Sequence, residues 1–95
     1  MENYAFRQFE WDHRKRFINL NKHGIDFEDV VLALDENAYI FRSAYREEER
    51  WIAVCQDDER LITVVFTMRG NACRIISARV ARHNERRKYY ARHSG

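Results

Sequence analysis

Residues 61–82, LITVVFTMRGNACRIISARVAR, decide the fold. The run Leu61-Ile62-Thr63-Val64-Val65-Phe66-Thr67 is the chain's densest stretch of β-branched and aromatic residues, which suit a packed, pleated surface. Arg69-Gly70-Asn71 then punctuates it. Glycine has no Cβ and reaches positive φ without strain, so the chain turns there. Residues 73–78 form the return strand. The spacing predicts a hairpin with Arg69 at the exit of its first strand and Arg79 at the exit of its second. A core hairpin that carries fixed cations to its ends is a candidate phosphate holder.

Working back from the hairpin, residues 57–60 are a polar loop and residues 50–56 a strand. Trp51, Ala53 and Cys55 share one face of it, Ile52 and Val54 the other. Residues 43–49 form a polar loop, and residues 37–42 a strand centred on Tyr39, Ile40 and Phe41. Upstream, Asp26 reads as an N-cap. Phe27, Val30, Val31 and Leu34 follow it at helical spacing, with Glu28 and Asp29 suiting the helix N-terminus. Asp12 reads as the cap of another helix over 13–23, with Phe17 and Leu20 as its narrow apolar stripe and Gly24 as its stop. FRQFEW at 6–11 is a short strand with Phe9 and Trp11 on one face. Beyond the hairpin, a last helix spans roughly 82–92, with Tyr89, Tyr90 and Ala91 as its packing residues. The order β-α-α-β-β-β-β-α predicts an α+β fold: a mostly antiparallel sheet, a meander over 37–78, and helices on one side.

The chain's 95 residues suffice for one domain with a modest core. No apolar run approaches the roughly 18–20 residues of a membrane helix. The N-terminus lacks the basic and apolar segments of a signal peptide, so a cytoplasmic protein is expected. Cys55 and Cys73 fall inside strands without metal-site spacing, and are expected to be buried thiols. The formal net charge of +2 hides an asymmetry. Residues 69–95 hold eight Lys/Arg against one acid, Glu85, a balance of +7; residues 1–68 hold nine against fourteen, a balance of −5. A basic C-terminal quarter points to an anionic partner, with nucleic acid foremost.

Several blocks, in order, resemble one family. Phe9-Glu10-Trp11-Asp12, Lys15, Asn19, Lys22-His23-Gly24 and Phe27 resemble the opening of the BrnT toxins. Glu48-Glu49-Arg50-Trp51, Arg69-Gly70 and Arg74-Ile75-Ile76-Ser77-Ala78-Arg79 resemble later blocks, and Glu85-Arg86-Arg87 with Tyr89 the closing helix. The resemblance covers about residues 9–90. It implies a RelE-like fold and a ribonuclease toxin of a type II toxin–antitoxin pair that acts on translation. It also implies a BrnA-like antitoxin with a ribbon-helix-helix part, and operator DNA bound only through the complex. Two positions depart from the family: His13 stands where proline is common, and Cys55 where glycine is.

RNA cleavage without metal or cofactor uses the ribose 2′-OH against the adjacent phosphate. It requires a base, a cation for the charge gathering on phosphorus, and an acid for the leaving 5′-oxygen. Arg79, in the RIISAR block, is the first candidate for the cation, because a planar guanidinium matches phosphate geometry. The competing role is an ion pair with a carboxylate from the acidic part of the chain, residues 1–68. Glu48 and Arg50 lie two apart and, on a strand, would face the same way; Glu48 is a candidate base or a partner orienting Arg50. His23 titrates in the range useful for proton transfer, and equally suits a helix C-terminus. Arg69, Arg82, Arg86, Arg87 and Lys88 are candidate phosphate contacts. Tyr89 or Tyr90 is a candidate base-stacking residue, with packing onto the sheet as the alternative. A non-catalytic nucleic-acid-binding or partner-docking module is the alternative to a nuclease.

Overall fold

A computed structural model describes residues 6, 8–44, 48–58 and 60–93. The elements are β1 (Gln8–Trp11), α1 (His13–His23), α2 (Phe27–Ala33), β2 (Tyr39–Arg42), β3 (Trp51–Asp57), β4 (Arg60–Arg69), β5 (Ala72–Val80) and α3 (His83–His93). This is the order read from the sequence. The five strands form one sheet, β1-β5-β4-β3-β2. From β2 to β5 it is an antiparallel meander, and β1 pairs in parallel with β5. The chain's first strand therefore closes the sheet beside its last. Among the described residues no helix is long and apolar enough to cross a membrane.

Local chemistry sets the boundaries. The Asp12 carboxylate accepts from the N–H groups of Arg14 and Lys15, which starts α1 directly at His13 without a proline. Gly24 stops it with φ +69°, and its N–H donates to the Leu20 carbonyl. Asp26 caps α2 through the Glu28 N–H. Gly70, at φ +61°, supplies the turn between Arg69 and Ala72, which pair across the hairpin. At the other hairpin Asp57 pairs with Arg60, and Asp58 takes φ +52°, a left-handed conformation that aspartate tolerates.

The main core lies between the sheet and the α1–α2 layer. Ile25, Phe27, Val30 and Leu34 pack there on Ala53, Cys55, Ile62, Val64, Phe66, Cys73 and Ile75. Phe9, Trp11 and Trp51 pack against the same cluster. Cys55 and Cys73 are buried free thiols, both pushed up to about 12 by burial.

Two expectations are corrected. The helices do not share one side. Tyr89 of α3 packs with Val54, Leu61 and Ala81, whose side chains point away from the main core, so α3 covers the other sheet face. Helix α1 is also turned differently from its apolar stripe. Phe17 and Ile18 are 61% and 63% exposed, Leu20 is 39% exposed, and Asn19 is the residue buried. The reason is β5, which runs past the end of its partner β1. Beyond Trp11 the edge of β5 lacks a strand, and Asn19 supplies the missing hydrogen bonds. Its amide oxygen accepts from the Ala78 N–H at 3.0 Å, and its Nδ2 donates to the Ala78 carbonyl at 2.9 Å and the Ile25 carbonyl at 3.0 Å. Satisfying buried backbone groups outweighs burying a phenylalanine that water tolerates.

Candidate active site

Alternation along the strands assigns the face of the sheet opposite the main core. One level holds Tyr39, Val54, Thr63 and Arg79; the next holds Phe41, Ile52, Val65 and Ser77. An irregularity between Val65 and Phe66 absorbs Ile76, so that Thr67 pairs with Arg74 and Arg74 with Glu10. Helix α3 closes the end of this face near Val54 and Leu61, where Tyr39 and Phe41 pack against the same cluster. The remainder is a half-buried floor of Ile52, Val65, Ile76 and Ser77 with arginines at both ends.

Arg79 stands at the α3 end. It lies within β5, opposite Thr63, and not past the strand's exit as the sequence suggests. Its Nη1 and Nη2 donate to Glu85 Oε1 and Oε2, each at 2.8 Å. Thr63 Oγ1 donates to Glu85 Oε1 at 3.0 Å, and the Arg82 N–H to the same oxygen at 2.8 Å. One carboxylate thus joins β4, β5 and the first turn of α3. The last contact is half of a capping box, with Glu85 three residues after Arg82. Burial works to raise the Glu85 carboxyl, but the Arg79 guanidinium, the Arg82 N–H and the Thr63 hydroxyl hold it at about 2. Arg79 is held above its ordinary value by the same hydrogen bond. Its side chain keeps 24% exposure on the open face.

The second group is at the far end. Glu48 precedes β3 and is not on a strand, yet its Oε1 accepts from Arg50 Nε at 3.0 Å. The Ser43 N–H donates to the Arg50 carbonyl at 2.8 Å, which carries the β2–β3 pairing one step past Trp51. That step places Arg50 level with Thr67, whose hydroxyl donates to the Glu49 carbonyl at 2.6 Å. From the register, Arg50 lies four residues along and two strands across from Arg79, about 16 Å between backbones. The two do not meet on one phosphate. Arg69 ends β4 at the Gly70 turn, further still from Arg79.

His23, half-buried at the end of α1, borders a groove of about 230 Å³ with Lys15, Lys22, Ile76 and Ser77 along the free edge of β5. Histidine and Arg79 therefore flank the same strand edge, one from each layer. On α3, His83, Arg86, Arg87 and Tyr90 recur at one helical face and line an open, cationic and aromatic surface. Arg82, Arg86 and Arg87 are exposed. Lys88 instead lies over the Phe41 ring, Nζ 5.5 Å from its centroid. Tyr89 is 8% exposed and stacks on His93 at 4.1 Å, so its ring packs α3 onto the sheet. Tyr90, at 54% exposure, is the aromatic left facing solvent there. Sequence reasoning missed Thr63 and the central place of Glu85. A signal existed for Glu85: it is the lone acid of the basic quarter, at the third position of its helix. Among the described residues no cluster of histidine, cysteine and acids has the makings of a metal site.

Fold and site together define a small α+β protein with an arginine-framed sheet face. The comparisons with known proteins name the class. Residues 11–85 match the family of the ribonuclease toxin BrnT of type II toxin–antitoxin systems, and the chain belongs to that family. It is similar to the crystal structure of the Brucella abortus ribonuclease toxin BrnT, with 31% identity and a TM-score of 0.69. The match covers 80% of this chain and 97% of that one. No curated protein matches the sequence. Membership makes the chain a ribonuclease toxin with an antitoxin partner.

Proposed function

We propose that this toxin cleaves RNA without a metal ion, by attack of a ribose 2′-OH on the neighbouring phosphate, on the open sheet face beside α3. The observation that carries this reading is the Arg79–Glu85 pair. Glu85 is fixed from three sides and holds the guanidinium, still 24% exposed, at the α3 end of the open floor. An arginine held in this way needs little reorganisation as charge develops on phosphorus.

Arg79 stabilises that charge, and His23, across the strand edge, is the candidate for moving a proton. Glu48 and Arg50 stand too far from Arg79 to act on the same phosphate and contact RNA further along. Arg82, Arg86 and Arg87 draw in the backbone, and Tyr90 offers a stacking face in place of Tyr89. The antitoxin is a BrnA-like ribbon-helix-helix protein, with operator DNA reached only through it. The toxin acts on translation in the cytoplasm.

Expression of the chain alone, with folded protein confirmed, tests the reading in cells. Growth arrest with fragmented RNA, relieved by the antitoxin, is expected. Unimpaired growth with abundant folded protein contradicts it.

A further inference from the structure

We infer that the outer face of α1, with the groove between it and the free edge of β5, is the docking surface of the antitoxin, through an acidic segment that carries a large apolar side chain. This rests on the toxin–antitoxin part of the proposed function and adds to it the place where the partner sits.

Asn19 fixes which way α1 faces. Its hydrogen bonds to Ala78 and Ile25 hold one side of the helix against β5, and Arg14, Phe17, Ile18, Asn21 and Lys22 are left exposed on the other. Helical spacing sets Phe17 beside Arg14 and Asn21, and Ile18 beside Lys15 and Lys22. Phe17 and Ile18 are 61% and 63% exposed. Ile18 also lines the groove of about 230 Å³ along β5, together with Ile76 and Ser77 of the strand and with Lys15, Lys22 and His23. Apolar surface therefore continues from α1 to the sheet edge. Single exposed apolar residues are ordinary, whereas a continuous patch rimmed by polar groups marks an interaction site.

The charges around this patch have one sign. Helix α1 contains no acid. Arg16 is taken up by Asp26 at 2.7 Å and Glu28 at 3.5 Å, and Lys15 lies in the field of Asp12. Arg14 and Lys22 make no ion pair among the described residues. The complement is an apolar side chain seated between Ile18 and Ile76, with carboxylates for Lys22 and Arg14. A second copy of this chain does not supply it, because a two-fold contact would set the cations of α1 against each other. RNA fits less well than protein. The proposed RNA path is on the opposite face of the sheet from the α1–α2 layer, and aliphatic Ile18 and Ile76 give a base no ring to stack on. From the groove, the β5 edge leads to the catalytic face: Ser77 and Arg79 lie two apart on the strand and point the same way, about 7 Å between backbones. A segment anchored on Ile18 that continues over Ser77 covers the approach to Arg79.

The test measures association and dissociation of the BrnA-like antitoxin on the purified chain, at low and at high salt. Phe17→Ser/Ile18→Ser should bind it about 30-fold more weakly or worse. Lys22→Glu should slow association about tenfold at low salt, and less at high salt. Leu32→Ser removes an equally water-facing side chain, 82% exposed, from α2 and should leave the affinity unchanged. Wild-type affinity in the Phe17→Ser/Ile18→Ser protein, or an equal loss in Leu32→Ser, overturns the proposal. So does a Phe17→Ser/Ile18→Ser protein that loses affinity for a 2′-O-methylated oligoribonucleotide and keeps it for the antitoxin, which would give this face to RNA. Should the double variant not fold, Lys22→Glu decides, and an unchanged association rate overturns the proposal. Antitoxin binding that depends on Phe17 and Ile18, in a wild type that cuts no RNA, counts against the nuclease reading and leaves the docking surface standing. Cleavage by a wild type that the antitoxin does not bind overturns the docking surface and leaves the nuclease reading standing.

Discussion

Arg79 and Glu85 face each other in a bidentate ion pair, both contacts 2.8 Å, with side chains 24% and 11% exposed. The pair fastens α3 to the sheet and holds the guanidinium at the rim of the open face. In the proposed mechanism, structure and chemistry thus share one contact.

Removing one partner should therefore be costly. Glu85→Ala leaves a half-buried cation unpaired, a Thr63 hydroxyl without its acceptor and the first turn of α3 without its cap. Breaking a buried pair in this way costs about 3–5 kcal/mol. In a domain of this size a loss of about 3 kcal/mol lowers Tm by roughly 12 °C or more. A thermal melt of Glu85→Ala checks this, and a shift of only a degree or two would contradict the role assigned to Glu85.

The same carboxylate sets an acid limit. The folded pKa of Glu85 is about 2 against an ordinary value of 4.5. The group's folded value lies below its unfolded one, so its contribution is present in full above about pH 5 and is lost as pH falls towards 2. The difference corresponds to about 3 kcal/mol. Denaturant titrations between pH 7 and 3 should show wild type losing stability more steeply than Glu85→Gln, which has no proton to take up. Parallel profiles would show that the pair is not formed in solution.

Asn19 gives a second stability prediction. Asn19→Leu keeps the volume but abandons the Ala78 N–H and C=O at the edge of β5. A loss of about 2–4 kcal/mol is expected from the hydrogen bonds and the buried groups left unpaired. Hydrogen exchange at the Ala78 amide should accelerate in the same variant more than at Val64 in mid-sheet.

Phe17 and Ile18 give the opposite result. Both face water, so Phe17→Ser and Ile18→Ser should each change stability by less than about 0.5 kcal/mol. Phe27→Ala, at 0% exposure, should lose about 3–5 kcal/mol. Equal losses at Phe17 and Phe27 would show that α1 packs as its apolar spacing suggests.

These contrasts show what the sequence makes legible. Element order, the caps at Asp12 and Asp26, the turns at Gly24 and Gly70 and the core residues of α2 follow from local rules that tertiary packing respects. The separation of Arg69 from Arg79 is also readable, since antiparallel pairing sets them at opposite ends. The orientation of α1 is not readable from its own pattern. It depends on where β1 stops relative to β5, a non-local pairing that leaves an edge for Asn19 to cover. Which face α3 occupies is hidden for a similar reason: Val54 and Leu61 offer it a second small core. The Arg79–Glu85 pair joins groups six residues apart around a strand-to-helix bend, so neither residue's neighbourhood reveals it. Arg74 lies in a recognised block, yet its level with Thr67 and Arg50 follows from a bulge at Ile76 that no residue type announces.

The most direct test of a metal-independent ribonuclease centred on Arg79 is cleavage of a defined RNA in EDTA by the purified, antitoxin-free chain. Arg79→Ala, prepared identically and shown to be folded at the assay temperature by circular dichroism, is the comparison. The wild type should cut and leave 2′,3′-cyclic phosphate ends, and the variant should be slower by about 100-fold or more. Equal cleavage by both proteins, or none by a folded wild type, would contradict the account.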